Sequence, residues 1–270
     1  MSNISKVNAI SGTSIAKLTG IANASISKVG GDTLVAPFTP KSISNITLWL
    51  DGSDSSASSM TLVSDTHVSV WKDKSGNGYD FSQNSDSLRP ILVPNNINGL
   101  STVQAITTDK KMNNTTLSVP YNSPWSFVLV TKMHEETDQN WPYIFSFKAS
   151  GTNQGIGFMT HNTMGLIASG HSSYFKGWYT GYTTYYTAGS RKAILTWDGS
   201  STWTNLIDGT ARAMTGDSSN ENNSVSQLFF CDVGGQRMGG SIAELIVYNK
   251  VLTAGDITNL NSYILSKWGI

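Results

Sequence analysis

The hydrophobic pattern from about residue 41 onward consists of short alternating or apolar runs that are divided by turn residues. Such runs are typical of an antiparallel β-sandwich. The pattern predicts ten strands: Thr47–Leu50, Val68–Trp71, Val103–Ile106, Ser126–Lys132, Tyr143–Phe147, Gly155–Thr160, Lys192–Trp197, Thr202–Ile207, Gln227–Cys231 and Ile242–Tyr248.

Only the C-terminal end of the chain has the periodicity of a helix. Thr253 can cap the N-terminus of this helix, and Asp256 lies in its first turn. Its apolar face is formed by Ile257, Leu260, Ile264 and Trp268. We expect this face to pack against the sandwich.

The first thirty or so residues contain three units that align with a period of eleven: ISKVNAISGTS, IAKLTGIANAS and ISKVGGDTLVA. Each unit has only two or three apolar residues, so one copy cannot form a core. The β-branched residues and glycines disfavour a helix. Residues 1–40 are therefore predicted to be an arm that is ordered by oligomerisation or by docking onto a larger assembly, followed by a sandwich domain over residues 41–270. A disordered, low-complexity tail is the alternative.

Composition narrows the classes of partner. Charged residues make up 13% of the chain, and 18 basic residues balance 18 acidic ones. No basic run with interleaved aromatic residues is present, which argues against nucleic acid as a partner. No segment approaches the roughly 20 apolar residues of a membrane helix, and the N-terminus lacks the apolar stretch of a signal peptide. We therefore expect synthesis in the cytosol without general export. The one cysteine, Cys231, excludes an intrachain disulfide.

Five stretches carry a family resemblance: LWLDGSD, VWKDKSGNGYDF, NGLSTVQ, GSIAELIVYNKVL and LNSYILSKWGI. In that order they resemble the laminin G-like branch of the concanavalin A-like jelly rolls. The ISKV-type repeats resemble the N-terminal segments of tailed-phage structural proteins. The resemblance implies an all-β, concanavalin A-like jelly-roll sandwich with a C-terminal helix and an extended N-terminal repeat arm. It also implies a capacity, in some members, to bind glycans or calcium at the rim, but no activity.

The stretch WKDKSGNGYDF, residues 71–81, resembles the start of a calcium loop because Asp73, Ser75 and Asn77 alternate before a glycine. An EF-hand would place its bidentate glutamate at Asn84, and no flanking helices are predicted. We interpret the stretch as a structural turn that follows a buried Trp71. Rim calcium held by Asp73, Ser75 and Asn77 is the open alternative, and no other cofactor is expected.

The sequence gives little support for an active site. Glycosidases of the laminarinase type carry an ExDxxE strand, which is absent here, and Glu244 is the lone carboxylate in SIAELIVY. We expect Glu244 to have a structural pairing or to be exposed. The cluster HEETDQNW is interpreted as a solvated hairpin tip. These observations predict no catalytic residue and no enzymatic activity.

The segment from His171 to Gly189 is rich in aromatic residues among glycine, serine and threonine. Flat aromatic faces next to hydroxyl groups suit stacking on sugar rings. The candidate glycan-binding residues are Trp141, Tyr174, Trp178, Tyr179, Tyr182 and Tyr185. Packing of these aromatic residues between subunits is the alternative.

Together these features predict a non-enzymatic phage virion surface protein, either a head decoration or a short fibre. Its arm would contact other virion proteins, its subunits would form a homotrimer, and its lectin-like jelly roll would be displayed outward, where it could bind cell-surface glycans. Nucleic acid and membrane are not expected as partners. Two alternatives stay open: a secreted carbohydrate-binding module and a glycoside hydrolase of the laminarinase-like jelly-roll class.

Overall fold

The computed structural model describes residues 28–29, 32–33, 37–105, 110–117, 119–120, 123–133, 143–148, 155–161, 165–170, 189–212, 224–225, 227–229 and 240–270. The chain divides into two compact units, Met1–Thr39 and Pro40–Ile270. In the first unit, the described residues form a short antiparallel pair, β1 (Lys28–Val29) and β2 (Asp32–Thr33). The roles predicted for the arm remain predictions.

In its described residues, the second unit consists mainly of antiparallel strands. The strands are β3 (Ile46–Asp51), β4 (Met60–Val63), β5 (His67–Trp71), β6 (Phe81–Ser82), β7 (Ile91–Ile97), β8 (Leu100–Ala105), β9 (Val119–Pro120), β10 (Trp125–Met133), β11 (Tyr143–Lys148), β12 (Gly155–His161), β13 (Gly165–Gly170), β14 (Gly189–Trp197), β15 (Trp203–Ile207), β16 (Thr210–Arg212), β17 (Ser224–Val225), β18 (Gln227–Phe229) and β19 (Gly240–Tyr248). The helix α1 (Ala254–Trp268) follows β19. Short 3-10 turns lie at Pro40–Ser42 and Asp86–Leu88. Each of the ten predicted strands corresponds to one of these, and the prediction of an all-β sandwich with a C-terminal helix is confirmed.

The strands form a large sheet and a smaller one. The large sheet has eleven strands, with nine in the order β16-β15-β14-β10-β19-β8-β7-β5-β4, and with β3 paired to β19 and β6 paired to β5. The smaller sheet has four strands in the order β13-β12-β11-β18, and β9 pairs separately with β17. Because sequence neighbours are often not sheet neighbours, segments far apart in the chain meet at the centre of the large sheet.

The strand β19 lies at this centre, and all nine of its residues are buried. It pairs with β3, β8 and β10. Leu245 and Val247 belong to the main hydrophobic core together with Leu48 and Leu50 of β3. Glu244, by contrast, contacts side chains of α1. A strand covered on both faces has a nearly continuous apolar sequence, which is what GSIAELIVY shows.

The helix α1 begins and ends as its sequence predicts. Thr253 Oγ1 accepts a hydrogen bond from the backbone N–H of Asp256, and the Asp256 carboxylate accepts one from the N–H of Thr253, which completes a capping box. Gly269 ends the helix with a φ of 74°. On the predicted apolar face Leu260, Ile264 and Trp268 are fully buried. Within the described residues, no helix has the length and apolar character needed to cross a membrane.

Candidate functional site

The aromatic candidates lie in parts of the chain that the structure does not describe. This holds for all six glycan-binding candidates, Trp141, Tyr174, Trp178, Tyr179, Tyr182 and Tyr185, and for the charged cluster at residues 134–138. Their proposed roles therefore stay predictions. The candidate calcium loop at residues 71–81 is described in full.

The carboxylate of Asp73 organises this loop. Its Oδ1 accepts hydrogen bonds from the backbone N–H of Trp49 at 3.0 Å and of Ser75 at 2.8 Å. Its Oδ2 accepts from Ser75 Oγ at 2.7 Å and from the N–H of Tyr79 at 3.2 Å. Four donors from the protein thus surround one carboxylate, which fixes the turn and joins it to β3.

The rest of the loop is attached to β3 in the same way. Asn77 Nδ2 donates to the carbonyl oxygens of Ile46 at 2.9 Å and Thr47 at 3.0 Å. Gly76 and Gly78 have φ values of 99° and 78°, a region in which glycine is favoured. Trp71, which ends β5 just before the loop, is buried as predicted.

These contacts support the interpretation of the stretch as a structural turn. Among the described residues, no group of three or more histidine, cysteine, aspartate or glutamate side chains is arranged to hold a metal ion. Calcium binding by Asp73, Ser75 and Asn77 has no further support here and stays an untested alternative.

The end of the loop forms one wall of a polar cavity. Asp80 Oδ1 accepts from the backbone N–H of Asp73 at 2.8 Å, and the Asp80 carbonyl accepts from Asn114 Nδ2 at 2.8 Å. The second contact connects the loop to residues 112–117. The cavity between them has a volume of about 320 Å³ and is lined by Gly78, Asp80, Ser82, Gln83, Asn84, Asn113, Asn114, Thr115 and Thr116.

Two of the lining amides are held in place by hydrogen bonds. Asn114 Oδ1 accepts from the backbone N–H groups of Leu117 at 2.6 Å and Thr116 at 2.9 Å. Gln83 Nε2 donates to the carbonyl of Lys111, while its Oε1 accepts from the N–H of Ser85. Both residues are buried, so these hydrogen bonds fix their side chains in the wall of the cavity.

Asn113 differs from these two residues. Its backbone N–H and C=O both pair with Ser82 at 3.0 Å, which fixes the position of its Cα opposite β6. Its Oδ1 is buried but has no hydrogen-bond partner among the described residues. A buried polar atom without a partner is costly.

A second polar cluster, under α1, is structural. Glu244, in the middle of β19, is 1% exposed. Its Oε1 accepts from Trp49 Nε1 at 2.6 Å and from the Tyr263 hydroxyl at 2.7 Å, and its Oε2 accepts from Trp268 Nε1 at 2.6 Å. Lys267 Nζ lies 3.3 Å from Oε2. The structural pairing expected for Glu244 is therefore present.

Asp51 extends this cluster towards the loop. It lies directly opposite Glu244 in the pairing of β3 with β19, and it is 3% exposed. Its Oδ1 is 2.8 Å from Lys267 Nζ, and its Oδ2 is 2.9 Å from Lys74 Nζ. Burial alone would raise the pKa of Asp51, but the two ammonium groups outweigh burial and hold it below its usual value.

The pKa of Glu244 moves in the other direction. Burial raises it, the Lys267 ammonium opposes the rise, and the Asp51 carboxylate adds to it. Because Glu244 and Asp51 are both buried and bonded on several sides, they stabilise the junction of β3, β19 and α1. The sequence analysis did not predict that lysine side chains pair with these two carboxylates. The signal that could have revealed them is the lysine and tryptophan pair at the end of an otherwise ordinary amphipathic helix.

Known proteins share the fold of this chain but not its sequence. No protein-family model matches the sequence, and no curated protein sequence matches it. Among solved structures, Trypanosoma rangeli sialidase matches with a TM-score of 0.56 and 13% identity, over 81% of this chain and 32% of that chain. A GH54 α-L-arabinofuranosidase matches with a TM-score of 0.57 and 10% identity, over 75% and 52%. The binding domain of Paraclostridial Mosquitocidal Protein 1 matches with a TM-score of 0.56 and 12% identity, over 84% and 53%.

At these identities the likeness establishes the fold alone. The chain spans about a third of the sialidase and about half of the other two chains. The fold is a β-sandwich shared with carbohydrate-active and binding proteins. The resemblance to a laminin G-like or phage family is not supported by any of these matches.

The expected absence of enzymatic activity is corrected by the matched structures. The missing ExDxxE strand predicted a protein without enzymatic activity, but the sandwich is shared with proteins that are named as a sialidase and an arabinofuranosidase. The expectation was wrong as an exclusion, because ExDxxE marks a single class of hydrolase on this type of fold. Its absence does not address other active sites.

Proposed function

We propose that the β-sandwich binds glycans and that the polar cavity beside residues 71–81 is a binding site. The observation that carries this proposal is the cavity itself, whose walls consist of amide, hydroxyl and carboxylate side chains around about 320 Å³. This volume lies at the small end of ligand pockets, roughly 300–1,000 Å³. The pocket suits one or two sugar units.

The chemistry of the walls favours a sugar over an apolar ligand. A sugar carries many hydroxyl groups, each of which donates one hydrogen bond and accepts others. Asn113, Asn84 and Thr115 offer acceptors and donors at the cavity, while Gln83 and Asn114 are fixed by their own hydrogen bonds. Rigid walls reduce the entropy lost on binding. The fold shared with a sialidase and an arabinofuranosidase is consistent with such a ligand.

The aromatic segment adds a second contact surface to the proposal. Tyr174, Trp178, Tyr182 and Tyr185 would stack on sugar rings, with Trp141 and Tyr179 nearby. Stacking supplies apolar contact area that the polar cavity lacks. The cavity and the aromatic segment would thus contribute separately to glycan binding, and each can be tested by its own substitutions.

A glycan array tests this function. The full chain is expected to bind at least one immobilised glycan, and Thr115→Trp, which fills the cavity from an exposed position, is expected to weaken binding by about tenfold or more because it displaces the ligand. Thr258→Trp, on the exposed side of α1, is the matched control and should bind normally. Replacing Tyr174, Trp178, Tyr182 and Tyr185 together by alanine tests the aromatic surface. A silent array for the unaltered protein would contradict the proposal.

The biological setting is proposed as a phage particle, where the protein would be a trimeric surface component. The eleven-residue repeats of residues 1–40 support this, since each unit has too few apolar residues for a core of its own and needs partners. Light scattering on the chain with and without Met1–Thr39 tests the arm. A trimer that becomes a monomer on truncation is expected, and assembly of the truncated chain onto particles would contradict the proposed role.

A further inference from the structure

We infer that the side chains of Lys267 and Asp51 join in an intramolecular amide bond, with Glu244 as the proton carrier. The observation behind this inference is a buried contact: Lys267 Nζ lies 2.8 Å from Asp51 Oδ1 and 3.3 Å from Glu244 Oε2. Asp51 ends β3 and Lys267 lies in the last turn of α1. The bond would covalently link a central strand of the large sheet to the C-terminal helix, and it is independent of the proposed glycan site.

The fold holds the two reacting groups close together. A carboxyl C–O bond is about 1.2 Å long, so an Nζ at 2.8 Å from Oδ1 lies at most about 4 Å from the Cγ that it would attack. Ser53 donates from its backbone N–H and from its hydroxyl to Asp51 Oδ1, which fixes the carboxyl group. Lys267 is positioned by its helix, whose neighbouring Trp268 is buried. Groups held in this way react as if at very high concentration.

The surroundings favour a neutral amide over an ion pair. Asp51 and Glu244 are almost fully buried, and Lys267 Nζ lies 5.0 Å from the centre of the Trp268 ring. Buried charges lose much of their hydration, and an amide carries no charge. The Lys267 side chain is 18% exposed, so the cluster also has an open side through which a water molecule can leave.

A second lysine is placed to stabilise the charge that the reaction creates. Lys74 Nζ lies 2.9 Å from Asp51 Oδ2, and it is itself held by Asp54 at 3.0 Å. Attack by an amine on Cγ puts a negative charge on the carboxyl oxygen that is retained. A fixed ammonium group beside Oδ2 lowers the energy of that state. Of the two lysines, Lys267 is assigned as the attacking one because it contacts Glu244.

The reaction is a condensation that balances in atoms and charge. A proton passes from the Lys267 ammonium to Asp51 Oδ1 across their contact. The neutral amine attacks Cγ, an Nζ–Cγ bond forms, and the Glu244 carboxylate accepts one proton from the nitrogen. Glu244 returns this proton to the hydroxyl group on Cγ, the Cγ–Oδ1 bond breaks, and water leaves. An ammonium and a carboxylate thus become one amide and one water, with Glu244 restored and nothing oxidised or reduced.

The two carboxyl groups differ in the direction of their pKa shifts, as their roles require. Burial raises the pKa of Glu244, which brings it closer to that of an amine and suits a group that accepts a proton and returns it. Burial also acts on Asp51, but the ammonium groups of Lys267 and Lys74 outweigh it and hold the pKa of Asp51 low. The ion pair is therefore the resting state, and the bond is expected to form slowly and once in each folded chain.

Mass spectrometry of the intact, unfolded chain tests the inference. After the folded protein has been kept for days at physiological temperature, its mass is expected to be lower than the sequence mass by one water molecule. Proteolysis should then release one branched product that contains both Asp51 and Lys267. A chain of full mass would overturn the inference. So would a succinimide at Asp51 and Gly52, which has the same mass but leaves the two peptides separate.

Three variants assign the roles. Lys267→Arg keeps the positive charge, but a guanidinium group stays protonated and does not attack, so the full mass is expected. Lys74→Arg is the matched control, because it keeps a cation beside Oδ2 and should still lose water. Glu244→Gln should keep the full mass over the same incubation, with its fold checked by near-ultraviolet circular dichroism. Loss of water that persists in Lys267→Arg would assign the reaction to other residues and overturn the inference.

Discussion

The carboxylate of Glu244, in the central strand, accepts a 2.6 Å hydrogen bond from the indole Nε1 of Trp268, in the last turn of the C-terminal helix. Both residues are about 1% exposed. Trp49 donates to the other oxygen of the same carboxylate, also at 2.6 Å. One buried carboxyl group thus connects β3, β19 and α1, so its replacement is expected to destabilise the whole fold.

The variant Glu244→Gln is therefore expected to lower the free energy of unfolding by roughly 3 kcal/mol, within the range for breaking a buried ionic cluster. A glutamine amide presents N–H groups to donors from Trp268 or Trp49, so at least one indole loses its acceptor. Urea denaturation at neutral pH measures the change. Asp65→Asn, at an exposed turn position, is the control and should change stability by less than about 0.5 kcal/mol. A Glu244→Gln variant as stable as the control would show that the cluster is not a main source of stability.

The hydrogen bonds of Asp54 predict that the stability of the protein depends on pH. Burial pushes its pKa up, but hydrogen bonds from Ser56 and Ser59 and from the Lys74 ammonium outweigh burial and hold the pKa below its usual value of 3.8. Because the folded pKa is lowered, the stabilisation is complete above about pH 4 and is lost as the pH falls towards the folded pKa. Asp54→Asn should therefore cost about 1 kcal/mol at neutral pH, and the difference from the unaltered protein should shrink in acid. A difference that is constant from neutral pH to acid would contradict this assignment.

Two glycines provide a matched test of close backbone packing. Gly199 and Gly209 have similar φ values, 86° and 78°. A Cβ at Gly199 would lie 2.9 Å from the carbonyl carbon of Ser123 and 3.0 Å from the nitrogen of Pro124, whereas a Cβ at Gly209 would meet nothing within 4 Å. Gly209→Ala should cost about 1 kcal/mol from backbone conformation. Gly199→Ala should cost at least about 1 kcal/mol more, because the surrounding backbone must move. Equal thermal midpoints for the two variants would contradict the close approach.

The loop at residues 71–81 gives a fourth prediction. Asp73→Asn keeps one acceptor oxygen and turns the other into a donor that faces the hydroxyl of Ser75 and the N–H of Tyr79. We expect a loss of roughly 2 kcal/mol in urea denaturation, with the Asp65→Asn control unchanged.

Calcium should have no effect on the thermal midpoint of the unaltered protein, since donors from the protein already occupy both Asp73 oxygens. A midpoint that rises with millimolar calcium, and no longer does so in Asp73→Asn, would instead support the rim metal site of Asp73, Ser75 and Asn77.

Local patterns in the sequence were sufficient for most of the elements. Short alternating or continuous apolar runs located β3, β5, β10 and β19, because burial of one face imposes a period of two on a strand and burial of both faces makes the strand apolar throughout. The Thr253 and Asp256 pair located the start of α1, because a capping box depends only on residues three apart. The turn chemistry at Asp73 could also be anticipated, since its bonds to Ser75 and Tyr79 are local. By contrast, β7 was missed because ILVPNNI contains a proline and two asparagines, which disfavour a strand in any local reading.

The pairing of the strands, and the polar sites that depend on it, were decided by the tertiary structure. Trp49 and Glu244 are 195 residues apart in the chain, and periodicity carries no information about which strands become neighbours. The same holds for Asn113, whose backbone pairs with Ser82, and for Asn114, whose side-chain amide donates to the carbonyl of Asp80. The sequence by itself therefore determined ten of the strands, the helix α1 and the turn at residues 71–81. The folded sheet alone decided which ionisable groups are buried together and where the polar cavity forms, because both arise from contacts between distant parts of the chain.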